Sequence, residues 1–205
     1  MDTSGAQSIG TTFLSDLDRF LAQNWQQLRC RDIYDIYFKF WNDLKDFRGT
    51  STNFTGLSEL LVFRFIIHQI GGSFKKIPIN KDTAEFANGN LRIRQGLSVP
   101  GMRCRPDITI WKSEELIGVI QIKVFLVNGW KTFQGEMTTF NSLKKLYSDE
   151  LGTLLLIYDD YTVPKELKIG NSYPFVFLKG NDALLHATLD YYIPSLKRIS
   201  KANLL

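Results

Sequence analysis

The feature that most constrains the fold is a change of hydrophobic period near Gly71-Gly72. Before this point apolar residues recur at spacings of three and four. After it, short runs rich in Ile, Val and Phe are separated by Gly, Pro, Asn or charged pairs. The first pattern is typical of helices with one buried face, and the second is typical of strands. The chain is therefore predicted to begin with helices and to continue as an α/β domain with a mixed sheet flanked by helices.

The pattern also predicts the individual elements. Helices are predicted over 11–28, 32–47, 56–70, 130–147 and 182–192, and strands over 73–79, 91–95, 106–112, 116–125, 153–158 and 174–178. A loose tail is predicted over 1–10, a polar break over 48–53 and a basic tail over 193–205. We divide the chain at the break, into an N-terminal helical extension (1–50) and one compact domain (51–205).

Composition limits the classes of function. The 205 residues carry a formal charge of +4, which is compatible with a polyanionic partner but does not indicate one by itself. Cys30 and Cys104 stand in no metal-binding spacing, so zinc is not indicated and a reducing compartment is expected. The N-terminus lacks the features of a signal peptide, and no apolar run reaches the roughly 20 residues of a membrane helix. We expect a soluble, cytoplasmic protein that does not contact a membrane.

The residues that suggest chemistry lie on the predicted strands 106–112 and 116–125. Asp107 opens the first strand, and Gln121 and Lys123 lie two residues apart near the end of the second, so they share one face. A hairpin places the start of the first strand beside the end of the second. The three polar side chains are therefore predicted to converge at one end of the sheet.

This set of groups suits hydrolysis of a phosphodiester. Such a reaction needs a cation that stabilises charge on the phosphate and acidifies a water molecule. Mg²⁺, for which Mn²⁺ can substitute, prefers one or two carboxylates together with neutral oxygens and water. Asp107 would supply the carboxylate, and the Gln121 amide and the Ile122 carbonyl would supply neutral oxygens. Lys123 would orient the attacking water or stabilise it as hydroxide.

Structural explanations compete with this hypothesis. A lysine on a central strand needs a partner, and Asp107 and Lys123 could form a purely structural ion pair. A lysine on an edge strand could simply face solvent. His68 and His186 have no partner at metal or triad spacing and are interpreted as structural residues.

The stretch resembles the PD-(D/E)xK nuclease superfamily, which includes many restriction enzymes, junction resolvases and repair nucleases. The resemblance rests on Pro106-Asp107, thirteen intervening residues and Gln121-Ile122-Lys123. The order of predicted elements over about 54–160 is similar to the αβββαβ core of that superfamily. It implies a restriction-endonuclease-like fold and an Mg²⁺-dependent endonuclease acting on DNA, often as a homodimer.

The resemblance also implies roles for further residues. The first core helix of the superfamily often carries a glutamate that faces the metal, and Glu59 falls at that position. The alternative for Glu59 is a capping or salt-bridged residue in the first turn of its helix. Three arginines precede the motif and would approach a phosphate backbone unless they are ordinary surface residues: Arg94, Arg103 and Arg105. Gln134 and Glu136, at the start of the following helix, occupy positions where relatives often place extra polar site residues.

Gln121 departs from the family pattern, which usually has Asp or Glu in its place, although some members carry a neutral residue there and remain nucleases with a carboxylate supplied from elsewhere. The substitution removes one negative charge, so it should weaken metal binding. An alternative function is therefore a catalytically inactive domain of nuclease fold that binds nucleic acid or a protein partner. A third hypothesis is an unrelated α/β interaction domain in which Asp107 and Lys123 form only an ion pair. The motif does not indicate the cleavage specificity or whether DNA or RNA is the substrate.

Overall fold

The fold is that of a computed structural model, which describes residues 4–48, 55–80, 84–159 and 173–203. In these ranges the helices are α1 (Ser4–Asn24), α2 (Cys30–Arg48), α3 (Thr55–Ile70), α4 (Trp130–Leu146), α5 (Leu185–Tyr192) and α6 (Pro194–Asn203). The strands are β1 (Lys75–Pro78), β2 (Ala84–Asn88), β3 (Leu91–Gln95), β4 (Ile108–Lys112), β5 (Glu115–Lys123), β6 (Gly152–Ile157) and β7 (Phe175–Phe177). The prediction of an α/β fold with a mixed sheet between helices is confirmed.

The described strands form one seven-stranded sheet in which each strand pairs with the next along the chain. Strands β1 to β5 form an antiparallel meander, whereas β5, β6 and β7 run parallel. Parallel neighbours need a crossover connection, and α4 supplies it between β5 and β6. The carboxyl ends of β5, β6 and β7 therefore lie along the same edge of the sheet. We call this edge the carboxyl edge.

The two faces of the sheet are covered by different helices. On one face α1, α2, α3, α5 and α6 bury a large apolar cluster that includes Leu61, Ile66, Ile120 and Leu189. On the other face α4 packs Phe133, Met137, Phe140 and Leu143 against side chains such as Val119 and Leu155. Every residue of β6 is buried, so this strand is central and has the continuous apolar sequence expected there.

Two glycines allow the C-terminal segment to approach the sheet closely. A Cβ atom on Gly152 would lie 2.8 Å from the Cα atom of Ile193, and one on Gly118 would lie 2.9 Å from its Cγ2 atom. Contacts this short do not occur between real atoms at these positions. Glycine is therefore required at residue 152, where the clash is with backbone.

Both predicted tails are wrong in the parts that the structure describes. Helix α1 begins at Ser4, although a loose tail was predicted over 1–10. Helix α6 occupies most of the predicted basic tail at 193–205, because Leu196 is fully buried and Ile199 packs beside it in the same cluster. Two apolar residues three apart dock this short helix, whose remaining positions are mostly polar. Residues 1–3 and 204–205 lie outside the described ranges.

Strand β2 was not predicted. Its sequence is Ala-Glu-Phe-Ala-Asn, and Ala, Glu and Asn are depleted in strands. The segment forms a strand because it pairs with β1 on one side and β3 on the other. Tertiary pairing here overrides a weak local preference.

The predicted polar break over 48–53 and the domain division at residue 50 fall on the undescribed residues 49–54. The division stays a prediction. Side chains from α1, α2 and the turn between them do belong to the same buried cluster as α3, among them Leu21, Ile33 and Tyr37. None of the helices in the described ranges combines the length and the apolar character needed to cross a bilayer.

Candidate active site

Asp107 lies at the carboxyl edge, immediately before β4. Its Oδ2 atom accepts a hydrogen bond of 2.6 Å from the backbone N–H of Ile122, near the end of β5. Its own carbonyl accepts a hydrogen bond of 3.0 Å from the N–H of Gly96, just after β3. The antiparallel register that pairs Ile108 with Ile120 brings the start of β4 beside the end of β5, as the sequence predicted.

Gln121 and Lys123 lie on the face of β5 that α4 covers. Ile120 and Ile122 belong to the cluster on the opposite face, so the alternating residues 121 and 123 point toward α4. The Lys123 ammonium lies 3.0 Å from Oε1 of Glu136 on α4, and both side chains are largely buried. Glu136 therefore joins the site.

The structural ion pair considered between Asp107 and Lys123 does not form in the described part of the chain. The ammonium instead pairs with Glu136, while Asp107 takes its hydrogen bond from backbone. Lys123 still lies near enough for its positive charge to lower the pKa of Asp107. The two residues are thus neighbours in one polar cluster rather than direct partners.

Glu59 approaches the same edge from α3. Its Oε2 atom accepts a hydrogen bond of 3.2 Å from the side-chain amide of Gln95, the last residue of β3. The Gln95 side chain is neutral, so this contact does not compensate the charge of Glu59. That charge raises the pKa of Asp107, which places Glu59 within electrostatic range of the site.

The electrostatics of Asp107 are unusual for an aspartate. Burial raises the pKa of Asp107, and so do the negative charges of Glu59 and Glu136. The hydrogen bond from the Ile122 N–H and the positive charge of Lys123 lower this pKa. The net result is a pKa of about 6, compared with an ordinary value of 3.8. A half-buried carboxyl with two acidic neighbours is a favourable position for a cation, which would offset both the desolvation and the repulsion.

The donor set fits Mg²⁺ or Mn²⁺ in its chemistry. These hard cations need only one or two carboxylates when amide oxygens and water complete the shell. Asp107 and Gln121 provide such a pair, with Glu136 and Glu59 beside them. No group of three or more His, Cys, Asp or Glu side chains in the described ranges is close enough to share a metal ion. Full coordination would therefore depend on Gln121, backbone and water.

The three predicted phosphate-binding arginines differ in their surroundings. The Arg94 side chain makes two contacts within the fold. Its Nε atom lies 2.7 Å from Oε2 of Glu85, and its guanidinium lies over the Trp111 ring, 5.0 Å from the ring centroid. Arg103 and Arg105 are exposed in the loop that leads into Asp107. Only these two present guanidinium groups to solvent beside the site, and their role stays a prediction.

Tyr158 was not singled out from sequence, yet it connects two parts of the site. This fully buried residue follows β6, and its hydroxyl donates a hydrogen bond of 2.9 Å to the carbonyl of Ser58, next to Glu59. Its backbone N–H donates a bond of 2.8 Å to the carbonyl of Lys123. One residue thus ties the start of α3 to the end of β5.

Asp159, the residue after Tyr158, places a further carboxylate at the carboxyl edge, and unlike Asp107 it is buried. It accepts hydrogen bonds of 3.1 Å from the Tyr34 hydroxyl and 3.1 Å from the Lys179 ammonium, and its N–H donates to the carbonyl of Val124. The sequence signal was an acidic residue directly after an apolar strand. Its partners come from α2 and from the turn after β7, so no local pattern reveals them.

The two histidines make contacts within the fold, and their interpretation as structural residues stays a prediction. His68 Nε2 lies 2.8 Å from Oδ1 of Asp18, which also accepts a bond from Arg64, and the His186 ring packs edge-on against Trp25. Neither histidine lies near Asp107.

Comparison with protein-family models, curated proteins and solved structures gave no match for this chain.

Proposed function

We propose that this protein is a metal-dependent endonuclease of the PD-(D/E)xK type that hydrolyses DNA phosphodiester bonds. The observation that carries the proposal is the polar cluster at the carboxyl edge, in which Asp107 is bonded to the Ile122 N–H and Lys123 to Glu136. The order α3, hairpin β4–β5, α4 and β6 supports a restriction-endonuclease-like core, since these elements bring Glu59, Asp107 and Lys123 to one edge.

Each side chain has a definable part in the proposed hydrolysis. Water adds to phosphorus and one P–O ester bond breaks, which gives a phosphomonoester and an alcohol. Asp107, Gln121 and the carbonyl of Ile122 would hold the cation, with Glu59 nearby. When bound, the cation supplies charge neutralisation and a more acidic water. The Lys123 ammonium would hold the attacking oxygen and the phosphate through hydrogen bonds, and Glu136 would fix the position of that ammonium.

Glu136 offers an explanation for the neutral residue at position 121. The family pattern places an acidic residue there, whereas this chain has Gln121. Glu136 restores one negative charge from α4, and its charge reaches Asp107 strongly enough to raise the pKa of that residue. We propose that Glu136 on α4 supplies the second carboxylate of the site, which in the family pattern comes from the strand position that Gln121 occupies here.

Cleavage of plasmid and short branched DNA in Mg²⁺ or Mn²⁺ tests the proposal. Wild type would be assayed beside Asp107→Ala, Lys123→Ala and Glu136→Gln. Lys112→Ala serves as the control, because Lys112 is an exposed lysine at the far end of β4. We expect metal-dependent cleavage that is lost by at least a hundredfold in the Asp107 and Lys123 variants and is unchanged in the control.

A non-catalytic domain that binds nucleic acid or a protein is the second candidate. The observation that favours it is the ion pair between Lys123 and Glu136, which engages the one ammonium of the motif, together with the neutral Gln121. Calorimetry separates the two candidates. A folded wild-type protein that neither binds Mg²⁺ or Mn²⁺ nor cleaves DNA would refute the enzyme and leave the binding domain. DNA as partner, a homodimer and a cytoplasmic location remain parts of the first proposal.

A further inference from the structure

An exposed apolar surface lies beside the candidate active site, in the turn between β5 and α4. It consists of Val127, which is 68% exposed, and Trp130, which is 42% exposed. We call these two residues the Trp130 surface. Two adjacent exposed apolar side chains at the entrance to a candidate site are a possible contact surface for a ligand of that site.

The turn that carries this surface is well defined. Asn128 and Gly129 both have positive φ, at 62° and 45°, a conformation that suits these two residue types. The Gly129 N–H donates a hydrogen bond of 2.8 Å to the Leu126 carbonyl, and the Thr132 hydroxyl donates to the Val127 carbonyl. These hydrogen bonds fix the backbone around Val127, and its side chain is exposed to solvent.

The Trp130 ring is supported from behind. It stacks on Phe133 with 5.7 Å between centroids and 24° between planes. Phe133 is buried and packs edge-on against the rings of Tyr173 and Phe175. One face of the indole thus rests on a fixed aromatic base.

The Trp130 surface is near the polar cluster. Helix α4 starts at the carboxyl edge, and Glu136, which pairs with Lys123, lies six residues after Trp130 on the same helix. At about 1.5 Å per residue the two positions are about 9 Å apart along the helix axis. A nucleotide strand with one phosphate beside Lys123 would have to extend a neighbouring base along α4 to meet Trp130.

The charge immediately beside the Trp130 ring is positive. Lys131 is exposed beside Trp130, and the first turn of α4 contains no acidic residue. A stacked aromatic ring next to positive charge is the usual arrangement for binding unpaired bases.

We propose that Trp130 stacks on an unpaired base, and that the ligand of this edge is single-stranded or locally unpaired nucleic acid. The position of the scissile phosphate rests on the nuclease function proposed above. The stacking itself requires no cleavage. The two proposals can therefore fail separately.

Binding is measured without cleavage, by anisotropy of labelled oligonucleotides in EDTA. A single strand of twenty thymidines is compared with a duplex of the same length for wild type, Trp130→Ala, Trp130→Phe and Tyr191→Ala. Tyr191 is the matched control, because it is 77% exposed on α5 and lines a cavity beside Gly152, at the opposite end of the sheet. Melting temperatures verify that all variants are folded.

We expect Trp130→Ala to weaken single-strand binding by about tenfold or more and duplex binding by less than twofold. Trp130→Phe should retain most of the affinity, and Tyr191→Ala should retain all of it. Equal affinities of wild type and Trp130→Ala for the single strand, or equal losses on both nucleic acids, would overturn the proposal. If Trp130→Ala weakens single-strand binding as expected but wild type cleaves no DNA, the stacking proposal is upheld and only the nuclease function is refuted.

Discussion

Replacement of Asp107 by Asn is expected to stabilise the metal-free protein at neutral and alkaline pH. Asn has the same shape, and its side-chain oxygen can still accept the hydrogen bond from the Ile122 N–H. The substitution removes a half-buried negative charge that has Glu59 and Glu136 as acidic neighbours. A residue kept for function at the expense of stability should show this behaviour.

The size of the effect follows from the pKa of Asp107, which is raised from 3.8 to about 6. This difference of about two units corresponds to roughly 3 kcal/mol as an upper limit, since one unit is about 1.4 kcal/mol. Below pH 4 the carboxyl is protonated in both the folded and the unfolded state, so it causes no penalty. Above pH 6 it is ionised in both states, and the folded state carries the full penalty. We expect a gain of about 1–3 kcal/mol at pH 8 that disappears near pH 4.

Urea denaturation in EDTA at pH 4, 5, 6 and 8 measures this gain for Asp107→Asn. Asp149→Asn is the control, because Asp149 is an exposed aspartate after α4 and its replacement should change stability little at any of these pH values. The same gain at pH 4 and pH 8, or no gain at pH 8, would refute the electrostatic argument. Added Mg²⁺ should then narrow the difference at pH 8, because it would stabilise only the wild type.

Three further substitutions test the packing and the charges away from this site. Thr153→Val should raise the free energy of unfolding by about 1 kcal/mol, because the buried Thr153 Oγ1 has no hydrogen-bond partner in the described ranges. Urea denaturation measures this gain, and an unchanged midpoint would contradict it. Gly152→Ala should lower stability by about 1–3 kcal/mol, since its Cβ would lie 2.8 Å from the Cα atom of Ile193; a variant as stable as wild type would show that the segment can shift. Asp18→Asn should lower stability by about 1–2 kcal/mol at pH 7, because it disrupts two hydrogen bonds of 2.6 Å from Arg64. Burial raises the pKa of Asp18, but the hydrogen bonds from Arg64 and from the nearby histidine outweigh it and lower that pKa, so this loss should shrink as the pH falls below 4.

Much of the candidate site could be predicted from sequence because it depends on local geometry. Gln121 and Lys123 lie two apart on one strand, and the hairpin to Asp107 is short, so their approach needs no long-range information. The pairing of Lys123 with Glu136 could not be predicted, because it depends on how α4 crosses the sheet. From the sequence, Asp107 was the candidate partner of Lys123, whereas in the structure Lys123 pairs with Glu136.

The same limit explains the errors in the fold. Strand β2 has a composition that is poor for strands and is formed by its two neighbours. Helix α6 is polar over most of its length, and its buried Leu196 is recognisable only once the surface that it covers is known. The contacts of Arg94 with Glu85 and Trp111 were likewise not visible in the sequence, and its predicted role at a phosphate backbone stays a prediction. In each case a contact distant in sequence decides the outcome.

The close approach of Ile193 to Gly118 and Gly152 has a consequence for the order of folding during synthesis. The ribosome makes Asp107, Lys123 and Glu136 well before residue 193 emerges. Until then β5 and β6 lack the segment that fits against their two glycines, and apolar strand residues stay uncovered on that side. A nascent chain in this state is exposed to misassembly and to chaperone binding. The segment around Ile193 thus completes the cover over β5 and β6, and this side of the sheet is fully buried only after that segment has been made.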